Sequence, residues 1–355
     1  METPTRRRSK ASNEPPIGRR YDHTVKRLSD RHIETFALLD PYLSFKYLTT
    51  EWIRYFVGGA YIYNSQVLGW LQEKPNCCLA RPSQQKTSPN FLAKQAVYEL
   101  AERGFKELVE RGRAVPQSDR ASGRIYPNSA HRSNSYAHEL IVDIGFYAPL
   151  RYAADHAPNV RLLLFPELMQ HPEVPEVTRR SDDPLRITLQ KAGQHTFDFD
   201  AVTRFDGTPF VLVVTLPTGQ EENRCVPGLQ VDRGTRTLTT LEQHIDHAIQ
   251  FVRDKHYARH FGFDTCLIPF LFTEAARKRH VMNYVEKTYG PCKFLLFKMI
   301  PDFHKDLDHF PKPAHYDLAY QYAEDEWRPP DTIHVITTPW ERVGHPDFNL
   351  IGDNP

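Results

Sequence analysis

Asp232, Gln230 and Asp200 are the side chains whose types and spacing could do chemistry in this chain. Gln230-Val231-Asp232-Arg233-Gly234-Thr235 closes a run that reads as a buried strand and opens an amphipathic helix. Phe197-Asp198-Phe199-Asp200-Ala201-Val202 lies upstream as a second acid-bearing strand. Carboxylates delivered from neighbouring strands can hold a divalent ion that activates a water and steadies the charge on a phosphate. Asp200 and Asp232 are the expected metal ligands, for Mg²⁺ or Mn²⁺. Gln230 alternates with Asp232 across Val231, so both point to one side of their strand. Nucleic acid is therefore the first substrate or partner to consider. The same residues admit a purely structural reading: Gly234 as a turn, Thr235 as a helix cap, and Asp232 paired with Arg233.

Other chemistries leave weaker traces. His244 and His247 are three apart, and His256 and His260 four apart, on predicted helix. That spacing can place two rings on one face for zinc. With 17 histidines in the chain, chance pairs are expected, and solvated or core rings are the better reading. Phosphate-loop and dinucleotide fingerprints are absent from the sequence, as is a Gly-x-Ser-x-Gly elbow. Arg277-Lys278-Arg279 reads as a solvated basic turn that could also touch phosphate. The five cysteines have no paired spacing, which argues against a disulfide framework or a zinc ribbon and fits a reducing cytoplasm.

The elements that must position the acids follow from periodicity. A helix is expected over His138–Ala157, with Leu140, Ile141, Ile144, Ala148 and Tyr152 on one face and Gly145 as a weak point. Val160–Phe165 is a short apolar run, and 170–183 reads as loop. Strands are expected at Thr196–Phe205, Pro209–Leu216 and Val226–Val231, with Asp206-Gly207 as a hairpin signal. A helix over Leu238–His256, a strand at Thr265–Phe272, a helix at Glu274–Tyr289 and a strand at Lys293–Met299 complete the set. The apolar strands between helices fit a covered parallel or mixed sheet. Beyond residue 300 one strand candidate remains, Ile333–Thr337.

The front of the chain reads differently. Ser29 or Asp30 caps a first helix with Ile33, Phe36, Ala37 and Leu38 inward. Thr49-Thr50 starts a second over Glu51–Val57, and Tyr63-Asn64-Ser65 caps a third. Cys77–Ala80 and Ala96–Leu100 are strands around a basic, turn-rich 81–91. Gly104 turns the chain into a last helix from Phe105 to Arg111. Helices followed by a two-stranded ribbon are the order of a winged helix-turn-helix, whose third helix enters the major groove while the ribbon touches phosphates. The candidate DNA contacts are Asn64, Ser65, Gln66, Arg81, Gln85, Lys86, Lys94 and Arg103. A helical scaffold packed on the second domain is the alternative.

Charge supports the first of these. The net charge of +1 conceals 22 Lys and Arg against 13 Asp and Glu in residues 1–132, a net +9, and 23 against 31 beyond them, a net −8. A basic front half suits a polyanion, double-stranded DNA first. No run of apolar residues reaches membrane-spanning length, and none follows the basic N-terminus as a secretory signal would require. The expected fold class is α+β in two domains. A basic tail (1–25) precedes a winged helix (26–112). A linker (113–135) leads to an α/β nuclease-like domain with a mixed sheet (136–300), and a C-terminal extension follows (301–355).

The helix–strand–strand–strand–helix–strand order resembles the core of the PD-(D/E)XK nucleases. The chain also resembles the replication-relaxation proteins of bacterial plasmids and integrative elements. The resemblance rests on Gln230-Val231-Asp232-Arg233-Gly234-Thr235, where that family reads Glu-x-Asp-Arg-Gly-Thr. It rests also on Phe199-Asp200-Ala201, where the family reads Pro-Asp-Ala, and on Tyr98-Glu99-Leu100-Ala101-Glu102-Arg103-Gly104 near the end of the winged helix. It implies a winged helix joined to a nuclease-like domain, a DNA partner, a role in replication, relaxation or transfer, a His-Leu-like helix start and an acid ahead of the sheet, for which His138 and Glu167 respectively are the nearest candidates. Asp200, Asp232 and Glu167 would then hold one ion. Two departures stand out. The family's Glu is Gln230, a poor ligand for a hard cation, and Asp232 occupies the position of the nuclease Lys.

Overall fold

The computed structural model describes residues 28–40, 44–58, 61–74, 76–86, 96–114, 136–180, 188–190, 196–198, 206–300, 302, 336 and 338–352. The basic tail at 1–25, Lys94, Asp200, nearly all of the expected linker at 113–135 and most of the expected strand at 333–337 lie outside them. The described chain is mixed α+β.

In the front unit α1 (Asp30–Leu38) starts at Ser29, whose N–H donates to His32 Nδ1 at 3.1 Å. Burial, with Arg31 beside it, lowers the pKa of that imidazole, which favours Nδ1 as an acceptor. A short strand not evident in the sequence, β1 (Leu48–Thr49), runs into α2 (Thr50–Val57), whose first turn is capped by Thr49 Oγ1. The third helix, α3 (Tyr61–Gln72), begins before the cap expected at Tyr63-Asn64-Ser65. Asn and Ser cost roughly half a kcal/mol each inside a helix, too little to set its start. Next come β2 (Leu79–Ala80), α4 (Ser83–Lys86), β3 (Val97–Leu100) and α5 (Glu102–Glu110). β3 is central and antiparallel to both neighbours, giving the order β1-β3-β2.

Gly104 is not the turn expected of it; it lies buried within α5. A Cβ there would come 2.4 Å from the Cys78 carbonyl oxygen, so glycine is what lets the helix lie against β2.

Residues 136–156 form one long helical run, as the periodicity predicts, but its middle is wound as π-helix. It comprises α6 (Tyr136–Leu140), a π segment (Ile141–Tyr147) and α7 (Ala148–His156). β4 (Val160–Leu163), α8 (Phe165–Leu168) and α9 (Glu176–Arg179) follow. Of the strand expected at Thr196–Phe205, the described part is β6 (Thr196–Asp198), which pairs with β5 (Thr188–Gln190) in a separate two-stranded ladder. The meander is instead β4, β7 (Phe210–Thr215) and β8 (Glu221–Val226), each antiparallel to the next. Asp206-Gly207 is not its turn. Asp206 pairs with Leu229 and lengthens the β7–β8 ladder, and the chain reverses at 216–220, with Gly219 at φ 80°.

After β9 (Gln230–Asp232) come α10 (Leu238–Arg253), α11 (His256–Phe261), β10 (Ile268–Phe272), α12 (Ala275–Tyr289) and β11 (Cys292–Met299). β9, β10 and β11 are parallel, and β12 (Trp340–Val343) and β13 (His345–Phe348) add antiparallel beyond β11. β12 and β13 were not among the expected strands, and most of the one expected beyond residue 300, Ile333–Thr337, lies outside the described residues. Cys225 bridges Cys266 in parallel, and the Leu267 N–H donates to the Cys225 carbonyl. The run from β8 to β9 therefore joins the antiparallel meander to the parallel strands.

Both faces of the sheet are covered. Leu212, Val214, Val231, Leu271 and Leu296 pack toward the 136–156 helix, Trp340 and the front unit. Val211, Val213, Phe270, Phe272 and Phe297 pack toward α10 and α12 through Leu241, Ile245, Val281 and Val285. The alternation along β7 divides its residues between the two sides.

Candidate functional site

The polar side chains of interest gather at the C-terminal end of β9. There the parallel register sets Gln230 opposite Phe270 and Asp232 opposite Phe272. Both polar residues therefore face the α10–α12 side, as their spacing predicts. Asp232 is only 2% exposed. Its carboxylate is held by Arg277 from the first turn of α12: Nε donates to Oδ2 at 2.5 Å and Nη2 to Oδ1 at 3.1 Å. Nη2 also donates to the Arg236 carbonyl at 2.8 Å. The side-chain bond to Asp232 raises the Arg277 pKa further and fixes its charge.

This corrects two expectations. Of the basic residues expected to form a solvated turn, Arg277 serves Asp232 and Lys278 pairs with Glu341, while Arg279 is exposed. Asp232 does not pair with Arg233. Adjacent strand residues point opposite ways, and Arg233 instead forks onto Asp302 at 3.2 and 3.1 Å.

Gln230 is likewise buried and bonded. Its Oε1 lies 3.2 Å from His244 Nδ1 and 3.4 Å from Arg236 Nη1. Burial pushes the His244 pKa down to about 4, helped by Arg236 and opposed by Asp206 and Asp232. The ring is thus neutral at physiological pH, a hydrogen-bonding partner rather than a charge. Gly234 does supply the turn after the strand, at φ 74°, with Glu274 closely packed against it. The helix cap falls two residues later than expected, on Thr237, whose Oγ1 accepts the Thr240 N–H at 3.2 Å.

Asp206 reaches the same strand from the side of the 136–156 helix. Its Oδ2 accepts the Val231 N–H at 2.9 Å, and its Oδ1 lies 2.7 Å from His138 Nε2. Sequence reasoning treated Asp206 as a turn residue and Arg277 as surface. The available signal was topological: consecutive parallel strands deliver the first turns of their following helices to one end of the sheet. Glu167 closes its own helix, accepting the Leu164 N–H at 3.0 Å.

The described donors do not fit a divalent ion: both Asp232 oxygens are taken by a guanidinium, Gln230 offers only an amide oxygen already in use, and Asp206 accepts from backbone and lies against His138, while Asp200 is outside the described residues. Among the described residues no three His, Cys, Asp or Glu side chains converge in a way that would hold a metal. His256 is buried and stacked on Phe251, and the His260 carbonyl accepts the Thr178 hydroxyl at 2.7 Å.

The expected DNA contacts are distributed over the front unit. Asn64 and Ser65 lie within α3, with exposed Gln66 after them. Lys86 ends α4, and Arg103 sits half-buried on α5. Gln85 is turned inward: its Oε1 accepts from Arg81 at 3.1 and 2.9 Å and from the Val97 N–H at 3.1 Å, tying α4 to the root of β3.

No protein-family model, curated protein or solved structure matches the chain. Its resemblance to the replication-relaxation proteins therefore stands on the motif residues themselves.

Proposed function

We propose that this chain is a DNA-binding protein of a bacterial plasmid or mobile element. It docks its front unit on duplex DNA as a winged helix, and it acts in replication, relaxation or transfer through a nuclease-like body that does not cut. The observation that carries this reading is the order of the front unit. Helix, strand, helix, helix, strand, a four-residue helix, strand and helix, with sheet order β1-β3-β2, is compatible with a module that offers α3 to a major groove and the β2 and β3 strands to the backbone. The net +9 of residues 1–132 supports it. The long helix, the β4–β7–β8 meander, α10 and the parallel β10 support the nuclease-like reading of the body. Forked pairing of Asp232 to Arg277 favours binding over cleavage by a Mg²⁺- or Mn²⁺-dependent endonuclease. Replication or transfer proteins, or a second copy on a palindrome, are the partners such a protein would meet in the bacterial cytoplasm.

Fluorescence anisotropy with a labelled duplex across a salt series tests it. The logarithm of the affinity should fall linearly with that of salt concentration, and replacing Lys86 and Lys94 by Ala should reduce the slope by about 2. Binding that ignores salt, or no duplex binding, would refute the reading. Supercoiled plasmid should stay supercoiled with Mg²⁺ or Mn²⁺; nicking that Asp232→Ala abolishes would establish the endonuclease instead.

A further inference from the structure

We propose that the Arg277 guanidinium is the resident counter-cation of the Asp232 site, a protein-borne replacement for a divalent ion, so that the site is complete without metal. Asp232 stands at the end of β9 and Arg277 in the first turn after β10, the parallel neighbour. The two meet side-on through two parallel bonds, a fork that matches a planar guanidinium to a carboxylate and uses both of its oxygens. The side chains are 2% and 14% exposed, so the pair excludes most water. A third bond, from Arg277 Nη2 to the Arg236 carbonyl, pins the loop that leaves the strand.

Gln230 completes the logic. It faces the same side as Asp232, its Oε1 is occupied by Arg236 and His244, and it adds no charge. A carboxylate at that position would put a second acid beside Asp232, the arrangement whose charge a divalent ion offsets in a two-acid centre. With an amide at 230, Asp232 is matched by the guanidinium that forks onto it, and Arg236 lies on the neutral Gln230 oxygen. A divalent ion arriving at Asp232 would have to expel Arg277 or sit beside a like charge.

Two measurements on the full chain test this, neither involving DNA. Titration with Mn²⁺, followed by the paramagnetic resonance of the free ion, should show no saturable site. The melting temperature should be the same in Mn²⁺ and in chelator. A double-mutant cycle should show strong coupling: Asp232→Asn and Arg277→Gln each lower the melting temperature, and the pair together lowers it by much less than the sum. If a single variant fails to fold, recovery of folding in the double variant carries the same meaning, and failure to recover it overturns the proposal. Saturable Mn²⁺ binding that Asp232→Asn removes, or additive losses in the cycle, would also overturn it. Because duplex binding is read separately, either conclusion can fail without the other.

Discussion

At the scale of single residues, the acid site is ordered by partners far away in sequence. Asp232 meets a guanidinium 45 positions on, and Val231 meets a carboxylate 25 positions back. The common facing of Gln230 and Asp232 was legible from a two-residue period alone. Their partners were not, because periodicity gives the direction of a side chain and says nothing of which helix start will arrive beside it. Gly234 was legible for the right reason: it takes φ 74°, where a side chain is strained. Replacing it by Ala should cost roughly 1–2 kcal/mol from the backbone alone. Glu274 is the near neighbour, and the end of its flexible side chain can move aside. A chemical-denaturation midpoint that does not change would show that this turn tolerates a Cβ.

At the scale of elements, the helix over 136–156 binds the two halves together, and Asp143 is its contact point. Within the π segment, Asp143 Oδ2 accepts the N–H of Lys46 at 3.0 Å and of Tyr47 at 2.9 Å, while Lys46 pairs with Glu139. Burial pushes the Asp143 pKa up to about 7, although those two backbone bonds pull the other way. A carboxyl raised on folding contributes its full stability below its unfolded pKa, near 4, and loses it as pH rises through about 7. Stability should therefore fall by up to about 1.4 kcal/mol per pH unit across that window. Asp143→Asn keeps an acceptor for both N–H groups and should flatten the profile, as urea unfolding at several pH values would reveal. An unchanged slope would place the titration elsewhere. The helix itself was plain in the sequence, from Leu140, Ile144, Ala148 and Tyr152. Its π winding was not, because widening one stretch of turn leaves no apolar pattern distinct from the ordinary repeat.

At the scale of the whole molecule, the C-terminal residues belong to the sheet. β12 pairs with β11, Trp340 is fully buried against Phe146, and Arg224 on β8 donates to the carbonyls of Asn349 and Leu350 at 3.0 and 2.8 Å. Removing residues 301–355 should expose the β11 edge and the face that Trp340 covers, giving a protein that aggregates or melts much lower. A truncated chain with unaltered melting and a monodisperse elution profile would contradict this. The sequence assigned that segment to an extension, since strand pairing across such a separation follows from topology, which local composition does not record. The mixed α+β class and the basic front half were readable because both depend on sums over many residues.

The seam between the halves carries a mechanical consequence. Trp52 lies edge-on to Tyr152, Tyr47 lies edge-on to Tyr136, and the backbone at Lys46 and Tyr47 is fastened to Asp143. The front unit is thus fastened to the body through its own rings and backbone, and these contacts set the angle between the two.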